Sequence, residues 1–142
     1  MTVNDQASNG LGVEVAASSP YLLVTPEGRA VAQNPDGSLN DAGNGAAAGT
    51  FVVCYLTGIG VPSPPVRTGE STPADKLYRA TGAASATIGG RPATLLFLGL
   101  TPSFVGLAQA NVGVPAGLGP GSYPLIVEMA GRRSNEAVVT VR

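Results

Sequence analysis

No stretch of this sequence sets apolar residues at i, i+3, i+4 and i+7 without a glycine or proline breaking the run. A helix cannot carry a core-facing stripe through such interruptions, because proline removes a backbone donor and glycine weakens the helix at every insertion. Alternation with a period of two is common instead. In "LAQANVGV" (107–114), Ala108, Ala110, Val112 and Val114 fall on one face and Gln109, Asn111 and Gly113 on the other. In "YPLIVEM" (123–129), Tyr123, Leu125, Val127 and Met129 share a face, and "AVVTV" (137–141) alternates Ala137, Val139 and Val141 against Val138 and Thr140. Such patterns fit antiparallel strands with one face on a core.

The interruptions themselves read as turns. Gly89-Gly90 lies between "ASAT" and "ATLLFL" and predicts a hairpin, as does Gly131 between the last two strands. "NPDGSLND" (34–41) carries Pro35-Asp36-Gly37, in which proline presets φ, aspartate bonds its own backbone and glycine tolerates positive φ. Further strands are expected at 12–16, 21–24, 30–33 and 50–56. The total is about eight or nine short strands, the spacing of a two-sheet sandwich or a barrel. The long segment 60–82 holds several prolines and most of the mid-chain charge, and loops of this length are functional or mobile. Within it "TPADKLYRA" (72–80) has the makings of one helical turn, with Thr72 as N-cap and Pro73 in the first position.

Twenty glycines and twelve prolines in 142 residues set the density of turns, but apolar segments lie between them, which argues against disorder. Residues 1–12 read as a flexible or appended leading segment and 13–142 as a single domain. A chain of this size buries roughly 68–70% of its unfolded surface and needs no covalent staple. Charge is sparse and nearly balanced, at a net of -1. Nucleic-acid binding calls for clustered Lys and Arg, and the only adjacent basic pair is Arg132-Arg133, so neither nucleic acid nor a polybasic membrane contact is expected. Arg91 and Arg132-Arg133 fall at hairpin tips and read as solvated loop charge. No run approaches the roughly 20 apolar residues of a membrane-spanning helix. The opening "MTVNDQASNG" lacks the apolar stretch of a secretory signal, so Met1 is expected to begin an excised piece of a longer exported chain; a cytosolic all-β domain is the reading if it is the native start.

The chain has no histidine and a single cysteine. Triads and dyads that need an imidazole are therefore excluded, along with most zinc sites and any internal disulfide. Cys54 shares a strand face with Val52 and Leu56 and is expected to be a buried, inert hydrophobe. The nine acids are scattered among turn residues, whereas glycosidases need two carboxyls about 5–10 Å apart across a cleft. No enzymatic activity and no cofactor or metal are expected. Asp36, Asn40 and Asp41 invite a calcium reading, but the EF-hand spacing and its closing glutamate are missing, so turn formation is preferred. "TLLFLGLTPSFVGL" (94–107) has no polar face across Leu95–Leu98, so both faces are covered by the chain's own segments or one is an interface.

In order and spacing, "GTFVVCYLTGIG", "ATIGGRPATLLFLG" and "AQANVGVPAGLGPGSYPLIVEMAGRRSNEAVVTV" resemble the IPT/TIG branch of immunoglobulin-like domains. More closely, they resemble an immunoglobulin-like module at the C-terminal end of large secreted proteins of soil bacteria. The resemblance runs from about Ala30 to Val141; Cys54 and Leu56 depart from the small or β-branched residues common there, which bears on packing alone. It implies an all-β, early-set immunoglobulin-like sandwich of two antiparallel sheets, with no catalytic residues to carry over. It further implies a structural or adhesive module of an extracellular or cell-surface bacterial protein, whose partners are neighbouring domains of a longer chain or an extracellular protein or glycan. Tyr123, after "LGPGS" and at the start of a late strand, resembles the tyrosine corner of such sandwiches and is expected to be architectural. The rival reading is a carbohydrate-binding module. Tyr78, beside Lys76 and Arg79 in the long loop, is its one candidate platform, and Tyr78 and Arg79 are the candidate ligand contacts.

Overall fold

The computed structural model describes residues 2–7 and 9–142. Among them there is no helix, and fourteen β elements follow one another: β1 (Thr2–Val3), β2 (Gln6–Ala7), β3 (Tyr21–Leu22), β4 (Ala32–Gln33), β5 (Phe51–Thr57), β6 (Pro62–Ser63), β7 (Arg79–Ala80), β8 (Ala84–Ile88), β9 (Arg91–Ala93), β10 (Leu95–Leu100), β11 (Ala108–Gly113), β12 (Gly121–Met129), β13 (Arg132–Arg133) and β14 (Ala137–Val141). A seven-stranded sheet runs β3-β5-β11-β10-β7-β6, with β4 also on β5, and a five-stranded sheet runs β13-β12-β8-β9, with β14 also on β12. Every strand pairing in both sheets is antiparallel.

One apolar cluster lies between the sheets. Val52, Cys54 and Leu56 of β5, Ala108, Ala110 and Val112 of β11, and Leu98 of β10 enter it from one side. Ile88 of β8, Leu125, Val127 and Met129 of β12, and Ala137, Val139 and Val141 of β14 enter from the other. These are the alternate positions that the sequence marks, since a pleated strand turns every second side chain to the same face. The chain is therefore all-β with two antiparallel sheets over a shared core, a sandwich-like architecture.

The strand count exceeds the eight or nine expected because pairing is fragmented: β3, β4, β6, β7 and β13 are two-residue strands of the two main sheets, too short to show a period. Three further differences have physical causes. The partner of β8 across Gly89-Gly90 is not the whole of "ATLLFL" but the short β9; the chain then leaves that sheet at Thr94 and enters the other as β10. A register shift between Leu95 and Phe97 lets Leu95 and Leu98 both face the core and turns Leu96 out. The expected strand at 12–16 does not form: among the described residues nothing pairs with it, and Leu11, Val13 and Val15 stand 83%, 75% and 91% exposed. No helical turn forms at 72–80; Thr72 is buried and its backbone exchanges hydrogen bonds with the 103–104 backbone instead.

The leading segment, expected to be flexible over 1–12, includes Met1 and Ser8, which lie outside the described residues. Within it β1 and β2 form a separate hairpin whose central residues, Asn4 and Asp5, both have positive φ (49° and 61°).

One side of the sandwich is sewn shut. Ala30 N–H donates to Val138 O (2.9 Å) and Val138 N–H to Gly28 O (3.0 Å), while Ala46 N–H donates to Thr140 O (3.0 Å) and Arg142 N–H to Ala46 O (2.9 Å). These parallel bridges give the outer edge of β14 partners from the segments that flank β4. Asparagine amides finish the seam. Buried Asn40 accepts from Thr140 N–H (2.8 Å) and donates to Thr140 O and to Asn34 Oδ1 (both 2.9 Å). Asn135 does the same for Leu22, accepting from its N–H (2.8 Å) and donating to its carbonyl (3.1 Å). Among the remaining edge strands, β6 and β9 each carry a proline, Pro62 and Pro92, which suppresses pairing with another chain.

Candidate functional site

One apolar recess that the loops build lies at one end of the sandwich. β5 ends at Thr57 and turns through Gly58-Ile59-Gly60, and both glycines have positive φ (78° and 74°). A Cβ on Gly58 would sit 1.9 Å from Ser19 O, and one on Gly60 would sit 2.4 Å from Ala17 O. Only glycine lets the incoming segment 17–19 lie against this turn, where Ser19 N–H donates to Gly58 O (2.8 Å).

Across from that turn, the long 60–82 segment is pinned at its base. Thr72 N–H donates to Phe104 O (2.9 Å), Ser103 N–H donates to Thr72 O (2.8 Å), and Leu100 N–H donates to Tyr78 O (2.8 Å). Together these segments enclose a groove of about 380 Å³, lined by Ile59, Pro62, Val66, Leu100 and Val105 and bordered by the exposed pair Arg67 and Glu70 (3.9 Å). Val105 of this lining stands 60% exposed, and Phe104 and Val61, each next in sequence to a lining residue, are exposed too. A recess of branched aliphatics with one cation and one anion at its mouth suits apolar contact, not proton transfer.

The residues singled out from the sequence do not gather there. Tyr78 is buried, only 6% exposed, and its hydroxyl donates to Asp75 Oδ1 (3.1 Å). Burial pushes its phenol pKa up, and Asp75 adds to the rise through its hydrogen bond and its charge. A ring so placed has no free face for a sugar, which corrects the platform expected of Tyr78. Arg79 points the other way, as neighbours in an extended chain must, and its guanidinium lies 5.0 Å from the centre of the Phe97 ring. Tyr78 and Arg79 thus share no site.

Cys54 is fully buried, and its thiol donates to Ala110 O (3.3 Å). Burial pushes its pKa up to about 12, so the nucleophilic thiolate is not populated near neutral pH. Tyr123 is half-buried at the head of β12; its hydroxyl donates to Gly119 O (3.0 Å), and its ring covers the Gly89 turn. The candidate calcium residues have separate tasks. Asp36 accepts from Ser38 N–H (3.0 Å) and Ser38 Oγ (2.6 Å), which holds its carboxyl below the usual range. Asp41 caps Gly43 N–H (2.8 Å), and Asn40 serves the seam. Among the described residues no group of three or more His, Cys, Asp or Glu is placed to hold a metal.

Two of the three arginines at the hairpin tips are engaged and not merely solvated. Arg91 donates to Gly117 O (3.0 Å), and Arg132 pairs with Glu14. The groove itself was missed in the sequence, although its signal was there: the apolar residues of "PSFVGL" continue past the end of β10 into a loop, where no core demands them. Comparison of the chain with family models, with curated proteins and with solved structures finds no match.

Proposed function

We propose that this chain is a non-catalytic immunoglobulin-like module of the IPT/TIG type, part of a longer secreted or cell-surface bacterial protein, that spaces neighbouring domains and meets a protein partner through its loop end. The observation that carries this reading is the groove between Gly58–Gly60, the 60–82 segment and the 101–107 loop, with Val105 exposed in its lining and Val61 and Phe104, neighbours in sequence of lining residues, exposed as well. Contiguous apolar surface on a soluble domain marks an interaction site more often than an accident of packing. Its walls are braced by backbone hydrogen bonds and positive-φ glycines, so little ordering is needed when a partner arrives. The polar and ionisable groups picked out from the sequence serve the fold: Cys54 fills the core, Tyr123 closes a turn and Asn40 seals the seam.

Calorimetry of the module alone and joined to the domain next to it in the parent chain tests the proposal. A contact module raises the melting temperature of its neighbour, and Val105→Asp removes the rise while the module still folds. Independent melting of the two, or specific binding of wild type on a glycan array, would overturn the contact reading.

A further inference from the structure

The chain contains two asparagine–glycine pairs, Asn9-Gly10 and Asn44-Gly45, and the fold leaves one free and locks the other. Such a pair carries a chemistry of its own. The backbone nitrogen after an asparagine can attack the side-chain carbonyl carbon, and glycine, with no Cβ, leaves that approach open. We propose that Asn9 is a site of spontaneous covalent modification: it cyclises onto the Gly10 nitrogen and reopens as aspartate or isoaspartate, while Asn44 is held unreactive.

The step needs only the chain and water. A bond forms between Gly10 N and Asn9 Cγ as the Asn9 Cγ–Nδ2 bond breaks, and ammonia leaves with the proton of the Gly10 amide. Water then adds to one of the two carbonyls of the resulting succinimide. Opening on one side gives aspartate; opening on the other gives isoaspartate, whose main chain runs through the side-chain carbon. Nothing is oxidised or reduced. Either product places a new carboxylate on a chain whose formal net charge is -1.

What separates the two pairs is the freedom of the reacting atoms. Asn9 and Gly10 lie outside any strand or turn, between β2 and the Glu14–Arg132 ion pair, and both are exposed. A Cβ on Gly10 would meet nothing within 4 Å, and among the described residues the Gly10 N–H makes no backbone hydrogen bond. Asn44 is caged instead. Its Nδ2 donates to Ser38 Oγ (2.8 Å) and Leu39 O (3.0 Å), and its own carbonyl accepts from Asn34 Nδ2 (3.1 Å). A Cβ on Gly45 would sit 2.9 Å from Val141 C, so the backbone is wedged against β14 and has no room to swing its nitrogen onto Cγ. The one aspartate–glycine pair, Asp36-Gly37, could form the same imide by losing water, but it is held as well. Gly37 N–H donates to Asn34 O (2.9 Å), and the Asp36 carboxyl accepts from Ser38 N–H (3.0 Å).

Incubation of the chain at mildly alkaline pH, followed by peptide mapping with mass spectrometry, tests the assignment. Misplacing a nucleophile costs roughly a hundredfold in rate, so Asn9 should outpace Asn44 by about that factor, with isoaspartate among its products. In denaturant the two rates should converge, because the cage around Asn44 is gone. Gly10→Val, outside the core, should slow the change at Asn9 several-fold by crowding the attacking nitrogen, with an unaltered circular dichroism spectrum. Equal rates at the two asparagines of the folded chain, an intact Asn9, or a Gly10→Val variant as reactive as wild type would overturn the proposal. An Asn44 that stays slow in denaturant would overturn the protection assigned to the fold.

Discussion

The seam where β14 meets residues 28–30 and the loop end around Val105 face a common difficulty, backbone and apolar surface with no natural neighbour, and they resolve it in opposite ways. At the seam the outer edge of β14 is given partners. Backbone bridges reach across from Ala30 and Ala46, and Asn40 and Asn135 use their amides to imitate a missing strand. At the loop end the backbone is satisfied too, through Thr72 and Phe104, but Val61, Phe104 and Val105 remain in solvent. The contrast separates what holds this fold from what is left over for a partner. Hydrogen-bond completion closes the core, while exposed aliphatics on a rigid frame add little to folding and are available for contact.

If the seam holds the fold, damage there should be costly. Leu22→Ala empties a fully buried position in β3, next to the backbone groups that Asn135 holds, and should cost about 2–5 kcal/mol in denaturant melts. A loss below about 1 kcal/mol would mean that β3 is not part of the working core. Asn40→Ala should come next, at about 1–3 kcal/mol, because Thr140 N–H and the Asn34 amide oxygen lose their partner inside the protein, while Thr140 O keeps only Ala46 N–H. Amide hydrogen exchange gives that test its sharper form: Thr140 should lose protection in the variant while Val112, in the other sheet, keeps it.

Tyr123→Phe probes the far end of β12 from the side of polar completion. The ring still covers Gly89, and only the bond to Gly119 O is removed, so the expected cost is about 1 kcal/mol. A cost near that of Leu22→Ala would show that the 115–120 loop depends on this one hydroxyl.

The sequence made the core legible wherever a strand was long enough to show its period. β5, β11, β12 and β14 bury the alternate residues that their pattern marks, because burial on one face imposes a period of two. It concealed the switch of sheet at Thr94, since "RPATLLFLGL" reads as one apolar strand and only packing decides where it breaks. "GVEVA" has the right alternation but joins no strand, and alternation states a preference for pairing without supplying a partner. Asn40 and Asn135 were opaque for a different reason. Asparagine in a glycine-rich stretch signals a turn, and nothing local distinguishes it from an amide that pairs with a strand a hundred residues away. For the groove, the apolar loop was visible in "PSFVGL", while the opposing wall at Gly58–Gly60 came only from the third dimension.

The smallest expected effect is the most discriminating. Val105→Ser removes an aliphatic surface that is already 60% exposed and leaves the 101–107 backbone bonds untouched, so monomer stability should change by no more than about 0.5 kcal/mol. The natural objection is that Val105 is a buttress, holding the loop over the groove while showing one flank to water. A buttress would transmit its loss to Thr72, whose N–H bonds to Phe104 O and whose carbonyl accepts from Ser103. Hydrogen exchange at Thr72 and Ser103 decides between the two. Unchanged protection together with an unchanged melt places Val105 among residues kept for contact, and faster exchange at both amides would return the loop end to the structural side of the comparison.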